Sequence, residues 1–184
     1  ITNMAQDFVG SNNINLFLPK GQLGSRLQGG KDAASPRYTF VQMNPLTSLI
    51  YKKEDSPVLS YTSDDGVQTE PVYYVPIIPM ALVNGLEGIG SGFSTSVPSY
   101  SPQELIENIR KKLNGESYDK LTPWYKGFRG SIESIDVNYK TIGNYSVNGV
   151  SVTIKELPIG TWTSNYKTYL EGLVEKKLIL SYSE

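Results

Sequence analysis

The sequence predicts an α+β fold in which a few helices are set among antiparallel strand pairs. Apolar residues recur at helical spacing in only a few stretches, most clearly Leu105, Ile106, Ile109 and Leu113 behind a Ser101-Pro102-Gln103-Glu104 start signal. Short β-branched and aromatic runs are separated by turn signals such as Asp64-Asp65-Gly66 and Asn148-Gly149. A glycine-rich stretch over residues 19–36 follows neither pattern and reads as a loop with backbone N–H groups free to meet anions.

Taken in order, residues 1–18 begin with a short helical pattern (Ile1, Met4, Ala5, Phe8), broken by Gly10-Ser11-Asn12-Asn13. A short strand is expected over residues 14–18, closed by Pro19. Residues 37–43 read as a strand with Tyr38 near its start, held by the sheet yet presented at a loop mouth. Asn44 caps a short helix that opens on Pro45 and turns Leu46, Leu49 and Ile50 inward. The polar residues 52–57 are the expected domain boundary, and residues 59–62 and 67–69 form a hairpin. Its Asp64 and Asp65 are turn residues, since no further oxygen ligands follow at calcium-loop spacing. Residues 72–83 are almost wholly apolar but carry Pro76 and Pro79, which predicts buried extended chain instead of a central strand. A second glycine-rich loop follows over residues 85–92. The helix behind Ser101 ends at Asn114-Gly115, with Arg110, Lys111 and Lys112 complementing its dipole. Strands are expected over residues 131–137, 140–147 and 150–157, the last two joined by Asn148-Gly149. A final helix over residues 164–177 would turn Tyr166, Tyr169, Leu170, Leu173 and Val174 inward.

At 184 residues the chain can bury one large core or two small ones. A hydrophobic share of 39% and a charged share of 19% fit a soluble globular protein. No run reaches the roughly 18 apolar residues of a membrane span, so no membrane partner is expected. No basic segment feeds an apolar signal core at the start, and the chain reads as the middle of something longer. The absence of cysteine rules out disulfides and thiolate metal sites; the absence of histidine rules out Ser-His-Asp, Cys-His and histidine-zinc chemistry. No Gly-Lys-Ser/Thr occurs and Gly88-Ile89-Gly90 lacks a correctly spaced third glycine, so ATP binding is not encoded. Asn144-Tyr145-Ser146 is a formal glycosylation sequon, incidental in its strand context. The net charge of −1 argues against a general nucleic-acid binder. Residues 20–38 nevertheless hold Lys20, Arg26, Lys31 and Arg37 against Asp32 alone, which suits either a phosphate-contacting loop or an ordinary solvated one.

Two features point to chemistry. Arg37-Tyr38 sets a permanent cation beside a phenol whose reference pKa is about 10. A guanidinium favours the phenolate and grips phosphate oxygens, which a tyrosine needs in order to attack a phosphodiester. In a chain with 13 tyrosines the pair taken alone is better read as a half-buried tyrosine beside a solvated arginine. Ile89, between Gly88 and Gly90, either tucks into the core or stands out as an apolar wedge able to part stacked bases.

Three blocks decide between these readings. They are Met4-Ala5-Gln6-Asp7-Phe8-Val9-Gly10-Ser11-Asn12-Asn13 continuing through Gly21-Gln22-Leu23-Gly24-Ser25-Arg26 to Gly29-Gly30-Lys31-Asp32-Ala33-Ala34-Ser35-Pro36-Arg37-Tyr38; Glu70-Pro71-Val72-Tyr73-Tyr74-Val75-Pro76 onward to Gly85-Leu86-Glu87-Gly88-Ile89-Gly90-Ser91-Gly92; and Glu156-Leu157-Pro158-Ile159-Gly160-Thr161-Trp162-Thr163. In order and separation they resemble the type IIA DNA topoisomerases of the eukaryotic topoisomerase II kind, over nearly the whole chain.

The resemblance implies that residues 1–55 end a winged-helix domain carrying the tyrosine loop, and that residues 56–184 make most of a mixed α/β tower (shoulder) domain. Tyr38 would be the nucleophile that takes a 5′ phosphate, with Arg37 stabilising the phosphoryl transition state. Arg26 and Lys31 would position the DNA backbone, Asn84, Ile89 and Gly90 would meet and bend the duplex, and the Trp162 indole would lie at the DNA surface or in the core. Gly160 departs from the pattern, standing where many members carry arginine, so one phosphate contact is expected to be missing. Mg²⁺ and ATP, along with a histidine and an arginine that assist the tyrosine, would belong to other parts of a homodimeric enzyme acting on double-stranded DNA. The implied location is the nucleus in a eukaryote, and otherwise wherever the DNA is. This stretch alone would not cleave DNA. The rival is a non-catalytic DNA-bending or structural module, which would have no need to keep both Arg37 and Tyr38.

Overall fold

The computed structural model describes residues 1–136 and 138–184. Helix α1, Thr2–Ala5, is a single turn that places Ala5 in the interior. Strand β1 is Phe17–Lys20 and pairs antiparallel with β2, Phe40–Met43, so the ribbon closes the long glycine-rich loop at its base. The expected strand start at residue 14 is corrected by side-chain chemistry. The Ile14 backbone N–H and carbonyl are both taken by the Asn84 amide, and the Leu16 carbonyl accepts from Asn44 and Thr47, leaving no ladder to form. Pro19 lies inside β1 instead of closing it; in a two-stranded ribbon every other N–H points away from the partner, where a proline is tolerated.

Pro36–Tyr38 form a 3-10 turn and not the start of a strand, with the Tyr38 N–H donating to the Ser35 carbonyl at 2.9 Å. Asn44 caps α2, Pro45–Ile50, through its side-chain oxygen as expected, but only Ile50 is buried; Leu46 and Leu49 face outward. A 3-10 stretch, Lys53–Val58, follows over the expected boundary. Strands β3, Tyr61–Asp64, and β4, Val67–Pro71, make the predicted hairpin, with Asp65 and Gly66 both at positive φ as a type I′ turn requires.

Residues 72–83 are not buried extended chain. Val72, Tyr73, Tyr74, Val75 and Ile77 are exposed, Ile78 and Val83 are buried, and the last four residues coil into α3, Met80–Val83. The prolines deny this segment a strand partner, and the small β3–β4 hairpin cannot cover it. The Ile77 N–H reaches the Ile50 carbonyl, and Tyr51 meets Tyr74 edge-on, so the segment packs back onto α2. Residues expected as a second loop are instead a hairpin of β5, Leu86–Gly90, and β6, Phe93–Val97.

Helix α4, Pro102–Leu113, begins and ends as predicted, with Gly115 at φ +79. Leu105 is buried beneath it while Leu113, expected inward, is exposed. Strands β7, Ser131–Ile135, and β8, Asn138–Ile142, pair, as do β9, Asn144–Asn148, and β10, Ser151–Glu156. Val137, placed in a strand by the sequence reading, lies outside the described residues. The expected strand over 140–147 is split at Gly143, where an added Cβ would lie 2.0 Å from the Glu156 carbonyl oxygen. The β9–β10 turn is Gly149-Val150, one residue later than predicted, with Gly149 at φ +58. Helix α5, Thr163–Glu175, buries no residue fully, and Tyr169, expected inward, is exposed.

Five separate two-stranded pairs result among the described residues. Such pairs are marginal alone. Apart from them lies a small core of Ile78, Val83 and Leu105, ringed by Ile14, Leu82, Tyr100, Ile106 and Leu121. Asn13 adds a polar hub: its amide nitrogen reaches the carbonyls of Val83, Tyr100 and Trp124, and its oxygen accepts from the Lys126 N–H. The accessible surface is 13346 Å² for 20.4 kDa. A closed monomer of that mass exposes about 8,800 Å². The chain therefore presents far more surface than its own packing covers. Among the described residues, no helix is long and apolar enough to cross a membrane.

Candidate functional site

The β1–β2 ribbon holds the two ends of the loop that leads to Tyr38, and its interior is cross-braced. Asp32 accepts from the Ser25 N–H at 2.9 Å, from the Ser25 hydroxyl, and from Gln22 Nε2 at 3.3 Å. The Ser25 hydroxyl first, then its N–H, hold the Asp32 carboxyl below the usual carboxylate range. The Gly30 N–H donates to the Ser25 carbonyl and the Ala34 N–H to the Gln22 carbonyl. These bonds bring two backbones together so closely that a Cβ on Gly24, at φ +103, would lie 2.6 Å from Gly30 Cα.

The loop rests on Trp162. This indole is half-buried, meets the edge of Phe8 at 5.9 Å and 82°, and lies directly under Gly29. It is a floor for the loop and not an open face. Above that floor a polar cleft of about 350 Å³ opens beside Gly29, Gly30 and Lys31, walled by Gln6, Ser11, Asn12 and Asn84.

Beyond these braces the 3-10 turn carries Arg37 and Tyr38 into solvent. Tyr38 is 71% exposed, and its hydroxyl makes no hydrogen bond among the described residues. The Arg37 guanidinium carbon sits 5.5 Å from the centre of the Tyr38 ring, and its Nε reaches the Ser35 hydroxyl at 3.5 Å. The cation thus lies over the ring face, not beside the phenolic oxygen as the adjacency suggested.

The other residues singled out from sequence divide into two groups. Arg26 is turned inward: Nη1 pairs with Glu156 at 3.0 Å and Nη2 donates to the Leu157 carbonyl at 2.7 Å. Asn84 gives both ends of its amide to the Ile14 backbone at 2.9 Å each, fixing the root of the β5–β6 hairpin. Ile89 lies on that hairpin opposite Ser94 and is 95% exposed, which excludes the tucked-in alternative. Gly90 and Phe93 complete its tip, and an added Cβ on Gly88 would meet nothing within 4 Å. Gly160 stands in open space at φ +79. Arg26, Lys31, Asn84 and Trp162 therefore gather around the base of the tyrosine loop, while Ile89 and Gly90 ride on a separate arm.

Asn13, Asp32 and Glu156 escaped the sequence reading as organising residues. Asn13 sat in a run that reads as a turn, and Glu156 acts on a residue 130 positions away, so neither leaves a local signal. Among the described residues, no three acidic, cysteine or histidine side chains converge where they could hold a metal ion.

With an exposed Arg-Tyr turn on a braced glycine loop and a bare isoleucine on a separate arm, the chain belongs to the DNA gyrase/topoisomerase IV A-subunit family, whose profile matches residues 1–184. It is 50% identical over 190 residues to DNA topoisomerase 2 of Bombyx mori, which covers all of this chain and 12% of that protein. It is 53% identical over 169 residues to the Drosophila melanogaster DNA topoisomerase 2, covering 91% of this chain and 12% of that one. The solved DNA-binding, cleavage and re-ligation domain of Plasmodium falciparum topoisomerase II superposes with a TM-score of 0.95 at 47% identity, over 99% of this chain and 26% of that one. The chain thus spans only about an eighth of the length of these full-length relatives. The resemblance read from the three motif blocks holds.

Proposed function

We propose that the chain is the tyrosine-bearing part of the DNA cleavage and rejoining core of a type II DNA topoisomerase. The observation that carries this is Tyr38: a phenol held out in solvent at the end of a loop whose every turn is braced. Its Oη attacks a backbone phosphorus, a P–O bond to tyrosine forms, and the bond to the 3′ oxygen breaks. The phenolic proton leaves to solvent or to a base outside these residues, and the departing 3′ oxygen takes up a proton from solvent to become a hydroxyl. Rejoining reverses the exchange, so no net bond energy is required. Arg37, exposed and bound only weakly to Ser35, is free to turn from the ring toward the phosphoryl oxygens and stabilise their charge.

Lys31 and the polar cleft beside it meet phosphates without reading bases. Ile89 enters a base step and bends the duplex, with Gly90 beside it, so preference follows deformability. Arg26, Asn84 and Trp162 serve DNA indirectly, by shaping the surface that faces it. Residues 1–55 form the end of a winged-helix domain and residues 56–184 most of a tower domain, joined through Asn13 and the Ile50–Ile77 bond. The working enzyme is a homodimer on double-stranded DNA, in the nucleus of a eukaryotic cell or wherever the DNA lies. Mg²⁺ and ATP act through its other domains, and this stretch alone does not cleave.

The test is Tyr38→Phe in the full-length dimer. Denaturant-resistant protein–DNA adducts disappear while non-covalent DNA binding stays; adducts that survive the change overturn the assignment. A module that only bends DNA would bind and bend without ever forming them.

A further inference from the structure

We propose that Glu156 is a positioning residue for the Tyr38 reaction, acting through Arg26 as a latch between the tyrosine loop and the strand module β7–β10. The inference rests on Tyr38 being the nucleophile. Glu156 closes β10, and its side chain is only 10% exposed. One carboxylate oxygen accepts from Arg26 at 3.0 Å; the other accepts from the Arg129 backbone N–H at 2.9 Å, just before β7. One side chain thus ties three distant parts of the chain. The backbone that carries it cannot shift easily, because Gly143 packs directly against the Glu156 main-chain carbonyl.

The same short stretch of loop is gripped by backbone as well. The Ser164 N–H, in the first turn of α5, donates to the Leu27 carbonyl at 3.0 Å, and the Thr163 N–H lies 3.5 Å from the Arg26 carbonyl. From Arg26 the restraint passes along the loop in short hydrogen-bonded steps as far as Ala34, beyond which the Tyr38 turn follows directly. Ser25 holds Asp32 and Gly30, Ala34 is held to Gln22, and Tyr38 closes on Ser35. Loss of the latch leaves the loop folded on its own braces but free to tilt relative to Trp162 and β10. Displacement of about 1 Å at a reacting atom costs up to ~100-fold in rate. An ion pair this far out of water contributes little net stability, so its geometry is the larger effect.

The competing role for Arg26, a direct phosphate contact, predicts different numbers. In the full-length enzyme, Glu156→Gln keeps the shape and the bond from Arg129 but removes the charge facing Arg26. The latch predicts that Glu156→Gln and Arg26→Ala each slow adduct formation about 10- to 100-fold while DNA affinity stays within about twofold. It predicts that the double variant is no worse than the poorer single, since both break one connection. Arg26→Lys, which keeps the charge but gives up the bond to Leu157, restores part of the rate and serves as the test should Glu156→Gln fold poorly. A phosphate contact instead makes Arg26→Ala weaken DNA binding and lower the salt slope by about 1, with Glu156→Gln harmless. That result, or single effects that multiply in the double variant, overturns the latch. Tyr38→Phe run alongside separates the two proposals: adducts lost there but unchanged in Glu156→Gln remove the latch alone.

Discussion

Replacing Gly29 with alanine tests whether Trp162 supports the tyrosine loop. The new Cβ would fall 2.2 Å from Trp162 Cε2 and 2.3 Å from Nε1, where carbon contacts settle near 3.5–4.0 Å. The ring has little room to retreat, because Gly10 already stands so close that its own added Cβ would be 3.3 Å from Cη2. Gly29 also sits at φ +63, which costs a non-glycine residue about 1–2 kcal/mol. Overpacking against a fixed ring adds about 1–3 kcal/mol, so the expected loss is about 2–5 kcal/mol. Gly149→Ala is the matched control: its φ is +58 and nothing lies within 4 Å of the added carbon. It carries the backbone cost alone. Urea unfolding followed by tryptophan fluorescence compares the midpoints, and adduct formation should fall with Gly29→Ala only. Equal shifts for the two substitutions would refute the indole floor.

Ile89→Ala should leave the melting temperature unchanged, because a side chain 95% exposed supports nothing in the fold; DNA bending and cleavage should fall with a milder loss of affinity, and an unaltered bend angle contradicts the wedge. Asn13→Ala strands one N–H and three carbonyls in the interior and should destabilise the protein by about 3 kcal/mol or more, read by thermal unfolding. The Asp32 carboxyl is held below its ordinary range by Ser25, so its stabilising contribution is complete above the unfolded value of about 3.9 and is lost as pH falls through the lower folded one. Asp32→Asn should flatten that acid limb in a pH series of melting temperatures; an unchanged limb would remove the brace.

Elements with local causes were legible from sequence. The Ser101 start and Gly115 stop of α4, the Asn44 cap and the Asp65-Gly66 turn each depend on residues within a few positions, and each forms as read. Burial was not legible where it depends on what lies opposite. The apolar run over residues 72–77 reads as core, yet it only leans on α2 and stays largely exposed. Gly143 breaks a predicted strand because a carbonyl 13 positions later occupies the space of its missing side chain. The site shows the same limit. Tyr38 and Ile89 are outward, which their local sequence left open, and Arg26 looked like a free cation until its partner arrived from β10. Composition identifies a charge but not the neighbour that neutralises it.

Several glycines in this chain make room for something inside it, but Gly88 and Gly90 do not. Neither has a left-handed backbone, and each could carry a methyl group without striking a neighbour. Folding alone would accept larger residues there. On the wedge role proposed for Ile89, leaving them bare thins the blade on both sides of it, as a gap the height of a single layer of atoms would demand.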